Sequence, residues 1–175
     1  MSLGDPKNQE IERVQYFLKP GYIFLSREPT LVYSVMGSAV TVYLWDRQKR
    51  YGGLSHFLYP RISKPKKATV QYGNVAVLTL IKLMTADGSE KSFLEAQIFG
   101  GADPRSSSDN TLGGQNILMA KTILAREGIP IISEDVGGGK GRKLAVKSDT
   151  NEVMVLKVDR LRQEDWYPYV LKEPR

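Results

Sequence analysis

Cysteine is absent from the 175-residue chain, and histidine occurs once, as His56. The first absence excludes disulfides, thiolate metal sites and a cysteine nucleophile. Together the two leave too few soft or imidazole ligands for a transition-metal site, and no cofactor is expected. Long apolar runs are also missing. None approaches the roughly 20 residues that cross a bilayer, so the chain is not expected to be membrane-embedded. The opening stretch, Met1 to Val14, has no apolar segment of the kind that makes a secretory signal, and the cytoplasm is the default compartment. There is no internal repeat, no low-complexity block and no linker that would split the chain.

What is present fits a soluble globular protein: 41% hydrophobic and 25% charged residues. One domain over residues 1–175 is expected, with the polar residues before about Gln15 loosely held. A net charge of +6 and a pI near 9.4 point either to an acidic partner or to solubility alone. The densest basic run, Arg61 to Lys67, is short and interrupted by Pro65, and reads as an exposed loop. No aromatic residues interleave with its lysines and no nucleic-acid motif occurs elsewhere, so nucleic acid is not an expected partner. A solvated loop and attraction to an acidic protein surface both remain open.

Pattern assigns the elements. Val40, Val42 and Leu44 alternate with Thr41, Tyr43 and Trp45, which predicts a strand. The polar Asp46-Arg47-Gln48-Lys49 then turns the chain, and Tyr51 to Tyr59 resumes an extended pattern, giving a hairpin. Further short strands are expected at Tyr22–Leu25, Leu31–Val35, Phe93–Phe99, Ile129–Ser133, Lys143–Val146 and Val153–Val158. A first helix opens at Asn74 as N-cap, with Val75, Leu78, Ile81 and Met84 at helical spacing, and ends at Asp87-Gly88. A second runs from about Gln115 to Glu127 on the stripe Ile117, Ala120, Leu124, closed by Gly128 and Pro130. Two helices among many short, mostly antiparallel strands indicate an α+β fold. The glycines of Asp135 to Lys143 read as a strand connection rather than a phosphate loop, since no Gly-Lys-Ser/Thr ending or helix follows.

The hairpin has a chemical consequence. A two-residue loop at Arg47-Gln48 would place position 39 directly opposite position 56. A four-residue loop would make them diagonal neighbours on the same face, and an odd loop would separate them.

Met36-Gly37-Ser38-Ala39-Val40 followed by Gly52-Gly53-Leu54-Ser55-His56-Phe57 resembles the signature of the chemoreceptor glutamine deamidases, the CheD family. The resemblance continues in order through Tyr72-Gly73-Asn74, Leu94 to Ala102, Gly113 with Asn116, Glu134 to Gly138 and Gly141-Arg142-Lys143, covering roughly Pro20 to Val158. It implies a three-layer α/β/β sandwich and a cytoplasmic enzyme that hydrolyses selected glutamines of methyl-accepting chemotaxis receptors to glutamate. It also implies a second partner, the CheC-type phosphatase. The family's chemistry uses a cysteine thiolate, a histidine base and a threonine that orients the histidine.

Carried over, His56 holds the histidine position and Ala39 the cysteine position. The threonine position falls on Ser34, or on Tyr33 in the longer form of the motif. A methyl group cannot attack a carbonyl, and losing a covalent nucleophile costs about 10⁶ in rate. Ser38 is a poor replacement, because on a strand it would point to the other face. The resemblance therefore implies an inactive or nearly inactive site, through an engineered Cys→Ala change or a natural loss. Departures from the common family choices at Thr41, Tyr43 and Leu54 favour natural loss. The alternative to an enzyme is a binding module that docks on receptors or on the phosphatase.

Overall fold

Every residue of the strand Val40–Asp46 (β4) is buried, which marks it as the centre of a middle layer. Its alternation sorts two cores. Val40, Val42 and Leu44 pack with helical residues such as Val77, Leu80 and Leu124, while Tyr43 and Trp45 pack with Val32, Leu144 and Val146. Each large side chain so buried contributes about 1.5–3 kcal/mol.

The computed structural model describes residues 12–105 and 108–166. Around β4 lies a five-stranded sheet ordered β2-β5-β4-β6-β7, from Tyr22–Leu25 (β2), Tyr51–Phe57 (β5), Leu94–Gly100 (β6) and Ile131–Val136 (β7). A four-stranded sheet, β1-β3-β8-β9, comprises Val14–Phe17 (β1), Thr30–Met36 (β3), Gly141–Lys147 (β8) and Glu152–Val158 (β9). Helices Gly73–Ala86 (α1) and Leu112–Arg126 (α2) cover one face of the five-stranded sheet, and the second sheet covers the other. This is the expected α/β/β sandwich. Two pairings, β1 with β3 and β6 with β7, are parallel, and the others are antiparallel.

Local details depart from the sequence reading in instructive ways. Val14 to Phe17, at the edge of the segment expected to be loosely held, forms β1; its four residues are all exposed, so no buried stripe announced it. The rest of that segment, residues 1–11, lies outside the described residues. Asn74 does not cap α1. The cap position is Tyr72 with no side-chain hydrogen bond, and Asn74 instead fastens the preceding loop, accepting from Ile62 N–H and donating to Ile62 C=O. Gly73 sits so tightly on the Phe57 ring that a Cβ there would stand 2.6 Å from it. The N-cap of α2 is Thr111, whose hydroxyl accepts from Gly114 N–H. The glycine segment after Asp135 is a strand connection, as expected. It carries the chain from β7 in one sheet to β8 in the other, with Gly137 and Gly138 at φ of 75° and 67°, where a side chain would be strained.

Candidate functional site

The β4–β5 hairpin closes through a four-residue loop. Asp46 pairs with Tyr51, and the Asp46 carboxylate accepts from the N–H groups of Gln48 and Lys49 to shape the turn. Arg50 completes it at φ 58°. The register that follows puts Thr41 opposite His56, so position 39, two residues earlier, is the diagonal neighbour of His56 on the same face. Ala39 accordingly packs in the core between the two sheets, with Met36, Tyr43 and Phe99.

From the facing sheet, β3 sends Val32, Ser34 and Met36 inward, as the period of two requires. Ser34 Oγ reaches across the layer to within 2.8 Å of His56 Nδ1. Tyr33, one residue earlier, points outward and stacks on Phe17 with ring centroids 5.2 Å apart. Of the two hydroxyl candidates, Ser34 is the one that meets the histidine.

His56 is fully buried, and burial pushes its pKa down from 6.5 to about 4, while the Leu18 carbonyl beside it works in the other direction. The ring is therefore neutral at neutral pH. Nδ1 and Ser34 Oγ share one hydrogen bond, whose direction follows the ring tautomer, and Nε2 is buried with no side-chain hydrogen-bond partner among the described residues. Thr41 Oγ1, on the residue paired with His56, is likewise buried without a partner among the described residues. Unpaired buried polar atoms are costly to stability.

The turn that delivers Ala39 is held from two sides. Gly101 N–H donates to Ala39 C=O at 2.8 Å and Ala102 N–H to Gly37 C=O at 2.9 Å. Gly100, at φ 105°, lies so close that a Cβ would stand 2.3 Å from Ala39 C=O, so only glycine fits. From α2, the fully buried Asn116 amide donates to Ser38 C=O at 2.9 Å and to Leu58 C=O at 3.0 Å. Ser38 lies in this bend rather than on a strand, so the alternation argument against it does not apply; nothing places its hydroxyl at His56.

A cavity of about 410 Å³ opens beside this turn, lined by Gly37 and Ser38 on one wall and by Asp103, Arg105, Gly139 and Leu161 on others. Its glycine wall is fixed by the buried Arg142, which donates to the carbonyls of Gly137 and Lys140 and pairs with Asp135 at 2.9 Å. That guanidinium and Lys157 hold the Asp135 carboxyl below the usual range, against the desolvation that would raise it. A larger concavity of about 840 Å³ lies beside Lys143 and the Lys157–Arg162 segment; neither concavity is lined by Ser34, Ala39 or His56, but only the smaller one includes Gly37 and Ser38, the residues just before Ala39. Among the described residues, no three His, Cys, Asp or Glu side chains gather as a metal site would require. No described helix is long and apolar enough to cross a membrane.

Sequence reasoning named Ser34, Ala39 and His56 as candidates, and the fold brings all three to one layer. It did not find the parts played by Thr41, Leu18 or the carbonyl-binding amide of Asn116. Thr41 was within reach, since parity along β4 puts it on the same face as Ala39.

The profile of the family described as CheD chemotactic sensory transduction matches residues 59–157, a stretch that begins just downstream of His56. Similar proteins include a probable chemoreceptor glutamine deamidase CheD of Sulfurimonas denitrificans, 32% identical over 148 residues, covering 83% of this chain and 95% of that one. A probable chemoreceptor glutamine deamidase CheD 1 of Anaeromyxobacter dehalogenans is 35% identical over 145 residues, with 82% and 84% covered. A third, a probable chemoreceptor glutamine deamidase CheD of Trichlorobacter lovleyi, is 36% identical over 143 residues, with 81% and 89% covered.

Proposed function

The chain belongs to the CheD family, and from that premise we propose that it recognises chemoreceptors in the cytoplasm but does not hydrolyse their glutamines. One observation carries this reading: a methyl group, Ala39, occupies the position diagonal, on the same face, to a histidine that still has its hydroxyl partner Ser34. In a deamidase built on this frame, a thiol at position 39 loses its proton to the neutral His56 and attacks the glutamine carboxamide carbon. The imidazolium returns the proton to the departing ammonia, and water then cleaves the thioester to leave glutamate. Ser34 fixes the ring and its tautomer, acting as a positioning residue. Ala39 can neither give up a proton nor form the thioester, so the sequence of steps stops before the first bond is made.

Binding does not need that sulfur. The cleft beside Gly37 and Ser38 is open, whereas His56 is not exposed, so a glutamine side chain would enter at the Ala39 turn, where 7% of Ala39 remains accessible. A protein of this kind acts by occupying receptor sites, and the same cleft is the proposed seat for a CheC-type phosphatase.

The test is to incubate receptor cytoplasmic fragments with the protein and with its Ala39→Cys variant, and to follow amide-to-acid conversion by peptide mass. Binding by both, with conversion only by the variant, is the expected result. Conversion by the unaltered protein would overturn the mechanism, and absence of binding by either would overturn the receptor reading.

A further inference from the structure

From Arg47 to Ala86 the sequence contains no aspartate or glutamate, and from Asn110 to Arg126 it contains none again. Besides the β4–β5 turn and β5, these two stretches contain α1, α2 and the loop from Tyr59 to Tyr72 that leads into α1. The carboxylates nearest in sequence to the helix ends are Asp87, Asp109 and Glu127, so the loop from Tyr59 to Tyr72 and the body of both helices carry cations and no acidic residue. Lys121 and Arg126 are paired with Glu134 and Glu127. Arg61, Lys64, Lys66 and Lys67 are exposed and have no carboxylate partner among the described residues.

The loop that bears them is built rather than loose. The N–H groups of Leu58 and Tyr59 both donate to Gln71 C=O, closing its base. The Tyr59 and Tyr72 rings pack with centroids 5.5 Å apart, and the Asn74 side chain grips both polar groups of the Ile62 backbone. A compact loop with close, pinned ends presents its side chains at fixed places, and less ordering entropy is lost when something binds them.

Against this loop lies a groove of about 280 Å³ between Pro60-Arg61 and α2, floored by Leu118 and Met119 and edged by Gln115 and Thr122. Leu118 is 54% exposed, an unusual state for a leucine flanked by a concave apolar surface. The floor gains by burying an apolar side chain and gains nothing from a phosphate. The cations gain from carboxylates. An occupant must therefore bring both in one narrow element, which is the description of an amphipathic helix with an acidic flank.

We propose that the groove between Pro60-Arg61 and α2, together with the cationic loop beside it, docks an acidic amphipathic helix of a partner protein. An apolar residue of that helix covers Leu118 and Met119, and its carboxylates meet Arg61, Lys64, Lys66 and Lys67. The surface uses none of Ser34, Ala39 or His56, and so stands apart from the receptor reading. It does share α2 with the cleft, because Asn116 on the same helix holds Ser38 and Leu58.

The experiment uses the full chain and a designed peptide helix with leucines on one face and glutamates on the others, read by fluorescence anisotropy. A matching peptide with lysines in place of glutamates is the control. The glutamate peptide is expected to bind, weakening as salt rises, and the lysine peptide is not. Leu118→Glu, and separately Lys66→Glu with Lys67→Glu, should each lower affinity at least tenfold, while Met154→Glu on the far sheet leaves it unchanged. Leu118, Lys66 and Lys67 are all exposed, and retention of the thermal transition shows that the variants fold. Equal binding by wild type and both variants would overturn the proposal. So would retention of anionic phospholipid vesicles or of an oligonucleotide by a protein that ignores the glutamate peptide.

Discussion

Ser34 Oγ and His56 Nδ1 stand 2.8 Å apart although one belongs to β3 and the other to β5, in different sheets. Both residues are buried, so this contact ties two layers that are otherwise joined mainly by apolar packing. Ser34→Ala leaves Nδ1 unsatisfied in the interior and is expected to lower unfolding free energy by about 1–3 kcal/mol. Tyr33→Phe, whose ring faces outward on Phe17, should change it by no more than about 0.5 kcal/mol. Urea denaturation of the two variants separates the inward from the outward hydroxyl.

A second consequence concerns pH. The folded protein holds His56 at a pKa of about 4, whereas the unfolded chain titrates near 6.5. Between those values the unfolded state binds a proton that the folded state refuses, so acid favours unfolding. The stability in question is complete above about pH 6.5 and is lost as pH falls towards 4, amounting to about 3 kcal/mol. His56→Gln should remove this slope between pH 6.5 and 4.5, the carboxylates of Asp135 and Asp149 being held to lower pH by their basic neighbours. Because the chain has one histidine, its imidazole resonance in NMR is unambiguous, and it should not move between pH 7.5 and 5.5.

The fold was legible where the two faces of an element meet different surroundings. The alternation of Val40 to Trp45 assigned β4, and the stripe of Ala120 and Leu124 assigned α2, because burial imposes a period that the residues record. β1 left no such record, its residues being exposed on both faces. Asn74 carried a capping signal, but its amide is used by Ile62, a partner that only the folded loop supplies. The candidate site divides in the same way. His56 and Ala39 could be placed on one face by counting along a hairpin, but the encounter of Ser34 with His56 depends on how two sheets stack. Stacking has no local sequence code, and only the family motif indicated it.

The turn before β4 offers a third prediction. A methyl at Gly100 would collide with Ala39 C=O at 2.3 Å, and the backbone there has φ 105°. Gly100→Ala should cost about 2–4 kcal/mol, overpacking and backbone strain together. Gly128 at the end of α2 has φ 71° but open space around it, so Gly128→Ala bears the strain alone, about 1 kcal/mol. Comparing the two melting temperatures isolates the contact with the Ala39 turn from the conformational term they share.

The last prediction concerns Asn116, whose amide binds the carbonyls of Ser38 and Leu58. Those carbonyls belong to residues flanking the two site positions, one just before Ala39 and the other just after Phe57. The amide therefore sets the distance between a side chain at 39 and the ring at 56 without touching either. Asn116→Ala leaves two buried carbonyls short of a donor and should lower stability by about 2–4 kcal/mol. Asn116→Asp should be worse at neutral pH, since a carboxylate would face two carbonyl oxygens. A purely structural role predicts that turnover, measured well below the melting temperature, survives. A positioning role predicts that deamidation by the Ala39→Cys protein falls about 10²-fold on adding Asn116→Ala, the loss expected for a displacement of about 1 Å between reacting groups.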